Sequence, residues 1–436
     1  MPYFCSVCAA LERNEGKGGT RYEQGNMKEI DLSLYFDPCP FMEAAAFYHD
    51  STMRLGRMVE KYTVREHFPS LEGASVVIAG IDESRGASLD ETGPLPDKRH
   101  CNGADAVRKE LYNLYAPQGV GKVVDLGNMR CGKRIEDTYF ALAEVACCLL
   151  NQKSTLILLG GSQDLTYAVY QAYARLQKMA NIVTVDARLD LAEGLGADES
   201  PLDSILSNTD YMGKIAVEPA NYLFNYMNVG YQTYLVEQEA VSLMDKLYFD
   251  ACRYGLLQDD IRDAEPYIRD ADFVSFDLCA VKRQDSPANP WARPTGFSAE
   301  QACQLARYAG LSKEVSVAGF FEYYPFFERD NLSAQVVAEM IWCFLDAMRF
   351  RCDDHPLSAA GMDFKQYIVP LEELGQDLVF YKCRQTDRWW MELPCSDEQR
   401  QRYGRHCYLA CAYHDYETAT EGNVPHRWWN AVQRIK

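Results

Sequence analysis

Asn181-Ile-Val-Thr-Val-Asp186-Ala-Arg188-Leu-Asp190 is the stretch from which the fold is read. Ile182 to Val185 are four consecutive apolar or β-branched residues, the pattern of a parallel strand buried on both faces. Asp186 follows at once, and Asp190 comes one helical turn further on. Carboxylates are costly inside a core, so acids in this position belong at an open sheet edge. In doubly wound α/β proteins that edge is the carboxyl end of the strands, where ligands bind.

Outward from this strand, strand and helix patterns alternate. Strands are predicted over 76–79, 123–124, 156–159, 231–236, 273–276 and 315–318, and helices over 104–115, 135–151, 164–179, 299–308 and 332–350. Ser298-Ala-Glu-Gln301 reads as a capping box opening one of these helices. Alternation over roughly 275 residues implies a parallel sheet with helices on both faces. A further helix is expected over 41–66. Residues 1–26 are polar and aperiodic, an N-terminal extension with Met27 expected as the native start; N-terminal sequencing finding Met1 or Pro2 would rule that out. The main domain is drawn over 27–352. Residues 353–436 read as an appended α+β segment with two Trp pairs, Trp389-Trp390 and Trp428-Trp429, expected to pack internally.

Composition narrows the function. The chain has 436 residues, 47% of them hydrophobic, enough for a substantial core. Its formal charge of −19, from 44 basic and 63 acidic residues, argues against nucleic-acid backbones and anionic membrane surfaces as partners. Sixteen cysteines are scattered, no apolar leader follows the start, and no run approaches membrane-spanning length, so a reduced, cytoplasmic protein is expected. Cys5 and Cys8 form a CxxC without a second pair and are not read as a zinc site.

Three strand ends carry the chemistry: Gly160-Gly161-Ser162-Gln163-Asp164, Asp186-Ala-Arg188-Leu-Asp190, and Ser275-Phe-Asp277-Leu-Cys279. In this order they resemble the ureohydrolase superfamily of arginase, agmatinase and formiminoglutamase, which carries Gly-Gly-x-His, Asp-Ala-His-x-Asp and Ser-x-Asp-x-Asp. Gly103-Ala-Asp-Ala-Val-Arg108 looks like the family's Gly-Pro-x-x-Ile-Arg, and Glu322-Tyr-Tyr-Pro325 resembles its Glu-x-Asn-Pro. The resemblance covers roughly residues 75–350. It implies a three-layer α/β/α fold with about eight mostly parallel strands, a homo-oligomer, and a pair of Mn²⁺ ions that activate water for attack on a guanidino or imino carbon.

The motifs depart from the family where metal would be held. Gln163 and Arg188 stand at the two histidine positions and Cys279 at the last aspartate; no histidine lies between His100 and His355. By resemblance, Gln163, Asp186, Asp190 and Asp277 form an all-oxygen set for at most one weakly held Mn²⁺, Mg²⁺ or Ca²⁺. Arg188 cannot ligate metal. It is expected to replace the second ion electrostatically, forking against Asp186 or Asp277. The expected cofactor is none, with one divalent cation as the alternative. Cys279 reads as a buried inert thiol, Gly160-Gly161 as a tight turn, and Lys282, Arg283 and Asp285 as a solvated loop. Glu322 either recognises a cationic amidine or amine, or is a strand-end acid paired with a basic neighbour.

Three readings remain. One is a ureohydrolase-like pseudoenzyme, with no catalytic residues, that binds a small cationic ligand or a protein partner. Another is a metal-dependent hydrolase of C–N bonds in guanidino or formimino compounds. The last is a structural assembly protein using its C-terminal segment.

Overall fold

The computed structural model describes residues 30–39, 53–87, 102–191, 206–218, 221–358, 363–371 and 375–436. The expectations for residues 1–26, Met27, Cys5 and Cys8 lie outside these residues. Strands, in chain order, are β1 (Phe36–Asp37), β2 (Glu60–Lys61), β3 (Ala74–Gly80), β4 (Lys122–Met129), β5 (Thr155–Leu159), β6 (Ala180–Val185) and β7 (Leu223–Tyr231). After these come β8 (Asp250–Arg253), β9 (Phe273–Asp277), β10 (Val317–Phe321), β11 (Phe364–Leu371), β12 (Gln376–Cys383), β13 (Trp389–Glu392) and β14 (Tyr408–Cys411).

The first ten strands form one sheet in the order β1-β4-β3-β5-β10-β9-β6-β7-β8, with β2 also paired to β4. Only β1 runs antiparallel to its neighbour; the other pairings are parallel. Successive side chains of a strand point to opposite faces, and the core divides accordingly. Val76, Ile78, Ile157, Leu159, Val183, Val185, Val274 and Phe276 pack beneath the helices Gly103–Tyr112, Ala299–Leu311 and Leu332–Met348. Their alternates Val77, Ala79, Leu156, Leu158, Ile182 and Phe273 pack beneath Ile135–Asn151 and Leu165–Arg175. The result is the three-layer α/β/α arrangement expected.

Several boundaries differ from expectation. The helix expected over 41–66 survives in the described part only as Leu55–Met58, followed by β2. Strand β4 does not stop at 124 but runs to Met129. It carries Asp125 inside the core because Arg108 Nε and Nη2 reach its two carboxylate oxygens at 2.8 and 3.0 Å. The strand expected over 231–236 lies earlier, as β7, and the short edge strand β8 interrupts the helical stretch that follows. Short or half-exposed edge strands lack a long apolar run, which is why β1, β2 and β8 escape a periodicity reading. The loop with Lys282 and Asp285 is less solvated than expected: the two pair at 3.2 Å, and Asp285 accepts from Ala299 N–H at the start of a helix.

Beyond Met348 the chain forms a second, antiparallel sheet, β11-β12-β13-β14. Its core includes Trp389 and Trp428 together with Phe224 from β7, so the segment shares a core with the main sheet. Trp390 is buried against Arg269, whose guanidinium carbon lies 4.6 Å from the Trp390 ring centroid, while Trp429 is 42% exposed. Three of the four Trp residues therefore pack internally, as expected. No helix of the described residues is long and apolar enough to cross a membrane, and no disulfide joins the described cysteines.

Candidate metal centre

Strands β5, β10, β9 and β6 are consecutive neighbours in the sheet. Their register pairs Phe320 with Leu159, Phe321 with Asp277, and Val185 with Phe276, so the four carboxyl ends lie level. Each end delivers one motif. After β5, Gly160 and Gly161 adopt φ of +84° and +79°, and a Cβ on Gly161 would stand 2.7 Å from Glu83 O. Only glycine fits that turn, which drops Gln163 into the centre. After β6 come Asp186 and Asp190, the latter at φ +50°. Strand β9 ends in Asp277, and β10 is followed by Glu322.

Gln163, Asp186, Asp190, Asp277, Cys279 and Glu322 are all buried and converge, while Arg188 is half-buried at the margin. With its amide nitrogen turned inward, Gln163 donates to Asp186 Oδ2 at 2.9 Å and to Asp190 Oδ2 and Asp277 Oδ2 at 3.2 Å each. Its amide oxygen then accepts from Ser275 Oγ and Tyr211 Oη, both at 3.2 Å. Cys279 donates from Sγ to Asp186 Oδ1 at 3.2 Å and from its backbone N–H to Asp277 Oδ1 at 2.6 Å. Arg188 bonds Asp186 Oδ1 through its backbone N–H at 2.9 Å, and its guanidinium carbon lies 5.1 Å from the Trp291 ring centroid. The side-chain group shown touching all three carboxylates is therefore Gln163's amide, while the Arg188 charge is felt at Asp190 and Cys279.

Burial raises the Asp190 and Asp277 carboxyls well above the carboxylate range, and the charge of Asp186 adds to both. Burial also lifts the Cys279 thiol, with Asp186 and Asp277 adding and Arg188 opposing. The expected inert thiol fits this environment. Glu322 is fully enclosed at φ +64°. Its Oε1 accepts from Gln163 N–H and its Oε2 from Tyr324 Oη, each at 2.8 Å, and burial raises it to about 7.

Gln163, Asp186, Asp190 and Asp277 bring together oxygens that fit one hard divalent ion. With the Gln163 amide reversed, its oxygen stands 2.9–3.2 Å from three carboxylate oxygens. Oxygens that close repel unless a cation or a proton lies among them, and the spacing suits the oxygen shell of a Mg²⁺-sized ion. The other position offers Asp186, Asp277 and Cys279, whose ligand atoms lie within 4.8 Å of one another. Arg188 brings no ligand atom to it.

Ser275, whose hydroxyl meets that of Thr166 at 2.9 Å beneath Gln163, opens one of the quoted motifs, and Thr166 lies two residues past another. Asn289, which donates to Glu322 O at 3.1 Å, and Trp291 lie in a loop with no periodic signal, and only the fold brings them here.

A family model described as the Arginase family matches residues 86–346, more than half of the chain. The chain belongs to the arginase family. Formimidoylglutamase of Photorhabdus laumondii is 22% identical over 307 residues, spanning 67% of this chain and 91% of that protein. The Staphylococcus aureus formimidoylglutamase is 24% identical over 283 residues, 62% of this chain and 86% of its own length. Among solved structures, formiminoglutamase of Trypanosoma cruzi with Mn²⁺ superposes with a TM-score of 0.58 at 18% identity, covering 69% of this chain and 99% of that one. Formimidoylglutamase of Bacillus subtilis gives 0.58 at 13% identity, covering 70% and 94%. At these identities the structural likeness establishes the arginase-like fold.

Proposed function

We propose that this chain is a non-hydrolytic member of the arginase family, a pseudoenzyme that uses the inherited strand-end site for recognition of a small cationic ligand. The observation that carries this reading is the Gln163 amide between Asp186, Asp190 and Asp277. With its nitrogen turned inward, its two N–H groups are shared among the carboxylates that a pair of ions would otherwise neutralise, and Arg188 contributes its field without contributing a ligand atom. A hydroxide at neutral pH requires a metal to lower the pKa of water, and nothing in the Gln163, Arg188 and Cys279 set replaces that effect. Glu322 is the acid that would meet an amidine or amine, exchanging the Tyr324 hydroxyl for the ligand's N–H groups. The thiol-rich composition suits a reducing, cytoplasmic setting.

A second reading is a one-ion hydrolase of formimino or guanidino compounds. The Gln163 carbonyl with three aspartates would hold the ion, and its chemistry would be to activate water and polarise the C=N group. The likeness to formimidoylglutamases supports that substrate class.

Elemental analysis after incubation with excess Mn²⁺ and dialysis separates the two, run beside assays for release of formamide and urea. Less than one ion per chain and no turnover are expected. Two ions per chain, or product at enzymatic rates, would sink the pseudoenzyme reading.

A further inference from the structure

At the opposite, amino-terminal edge of the sheet lies a cleft of about 630 Å³. Its floor is the start of β5 and the residues entering β10, and one wall is the 401–406 segment of the C-terminal unit. In a chain of net charge −19, six cations line this cleft, Lys153, Lys178, Lys313, Arg351, Arg402 and Arg405, against one carboxylate, Asp272. Two of the six are already balanced. Arg405 pairs with Asp270, Asp272 and Glu314 at 2.8, 2.6 and 3.3 Å, and Lys313 pairs with Asp353 at 2.6 Å.

Arg351 is different. Its guanidinium donates from Nε to Gly310 O at 3.0 Å, from Nη1 to Thr155 Oγ1 at 2.9 Å and from Nη2 to Val315 O at 3.2 Å. All three acceptors are neutral, so the fork is held rigidly while its charge lacks a carboxylate partner among the described residues. Burial pulls it down to about 10, with Glu314 opposing, so it remains charged at neutral pH. Lys153, Lys178 and Arg402 are exposed around the rim and come from three separate segments.

Isolated surface lysines are ordinarily just solvated. Here a fixed, largely desolvated guanidinium and three rim cations converge on one ligand-sized cleft. The volume falls within the range of small-molecule sites, roughly 300–1,000 Å³. Cations lining a concave surface focus the field on an anion.

We propose that this cleft binds a small polyanion carrying two or more phosphoryl or carboxylate groups, with Arg351 gripping one group and the rim cations the other. Because one wall belongs to the C-terminal unit, the site exists only where that unit packs on the sheet. It is separated from Asp186 by the full length of β6, roughly 20 Å at about 3.3 Å per residue, and is independent of any chemistry there.

The test is titration calorimetry of the full chain with pyrophosphate and, separately, citrate, at low ionic strength of about 50 mM salt. One-to-one saturable binding is expected for at least one of them, and whichever binds tighter identifies the anionic group. A Lys153→Glu, Lys178→Glu, Arg402→Glu triple variant alters only exposed side chains. It should lose about tenfold or more in affinity with an unchanged melting profile, whereas Lys246→Glu, outside the cleft, should not. Arg351→Gln should also weaken binding. Absence of saturable binding of both probes, or equal binding by the triple variant, overturns the proposal.

Discussion

The backbone N–H of Gln163 donates to Glu322 Oε1 at 2.8 Å, joining the residue at the first ligand position to the acid that follows β10. Leu165 and the glycine turn set the position of one end, and the parallel pairing of β10 with β5 sets the other. A change at either residue is therefore felt at the other. This coupling bears on attempts to restore activity.

Reinstating the family residues, by Gln163→His with Arg188→His and Cys279→Asp, should raise Mn²⁺ uptake to two ions per chain. Arg188→His alone should contribute more to the second ion than Gln163→His, because a guanidinium carries no lone pair to donate. Elemental analysis of the single and triple variants checks the order. Uptake below one ion in the triple variant would place the obstacle in the carboxylate geometry instead.

Asp125→Ala should cost about 1.5–3 kcal/mol, since it removes the two-pronged carboxylate partner of a buried guanidinium that then keeps only the Asp105 carboxylate, at 3.1 Å. Arg108 and Asp125 both have side chains at 0% exposure. Arg108 Nη2 also donates to Gly127 O at 2.7 Å, which keeps the charge in place after its partner is removed. Urea unfolding of the two proteins measures the difference; a loss under about 1 kcal/mol would mean water reaches Arg108.

Asp82 titrates against stability at neutral pH. Burial lifts its carboxyl to about 6, with Asp105 adding to the shift. A folded value above the unfolded one, roughly 3.9, means the native state binds the extra proton. That contribution is fully present below the unfolded value and is lost as pH rises through about 6. Asp82→Asn removes the titration while keeping Oδ1 as acceptor for Ala104 N–H, at 3.4 Å in the parent. The variant should gain on the parent across this window by on the order of 2 kcal/mol, then level off. Melts on the acid and neutral sides of the window decide it, and a difference that does not change with pH counts against the assignment.

The Trp pairs should separate cleanly. Trp428 is 2% exposed and donates from Nε1 to Glu392 O at 3.0 Å, so Trp428→Ala should cost about 3–5 kcal/mol. Trp429→Ala, at a half-exposed position, should fall within about 0.5 kcal/mol of the parent. Denaturant midpoints of the two variants are the readout, and a comparable loss at Trp429 would point to a partner surface there.

The family and the layer order were legible in the sequence. Ile182 to Val185, and the runs like it, must be buried on both faces, which requires helices above and below the sheet. The motif residues were legible because each follows such a run directly, where the backbone leaves no choice but the sheet's carboxyl edge. Edge strands β1, β2 and β8 were not, because a strand of two to four residues with an exposed face has too few positions to set a period.

The tertiary structure placed a further group at the centre. Sequence alone made Arg188 the natural cation substitute, since a charge seemed required among three acids. Packing places its guanidinium carbon 5.1 Å from the Trp291 ring centroid, and Trp291 comes from a loop far along the chain. The left-handed turn at Gly160 and Gly161 also lowers Gln163 between the carboxylates. The basic cleft was likewise beyond sequence, for Lys153, Lys178, Arg351 and Arg402 form no run and meet only where the C-terminal unit closes against the sheet. Hydrophobic periodicity is local and survives in one dimension; the pairing of polar groups is decided by distances between segments, which only the folded chain defines.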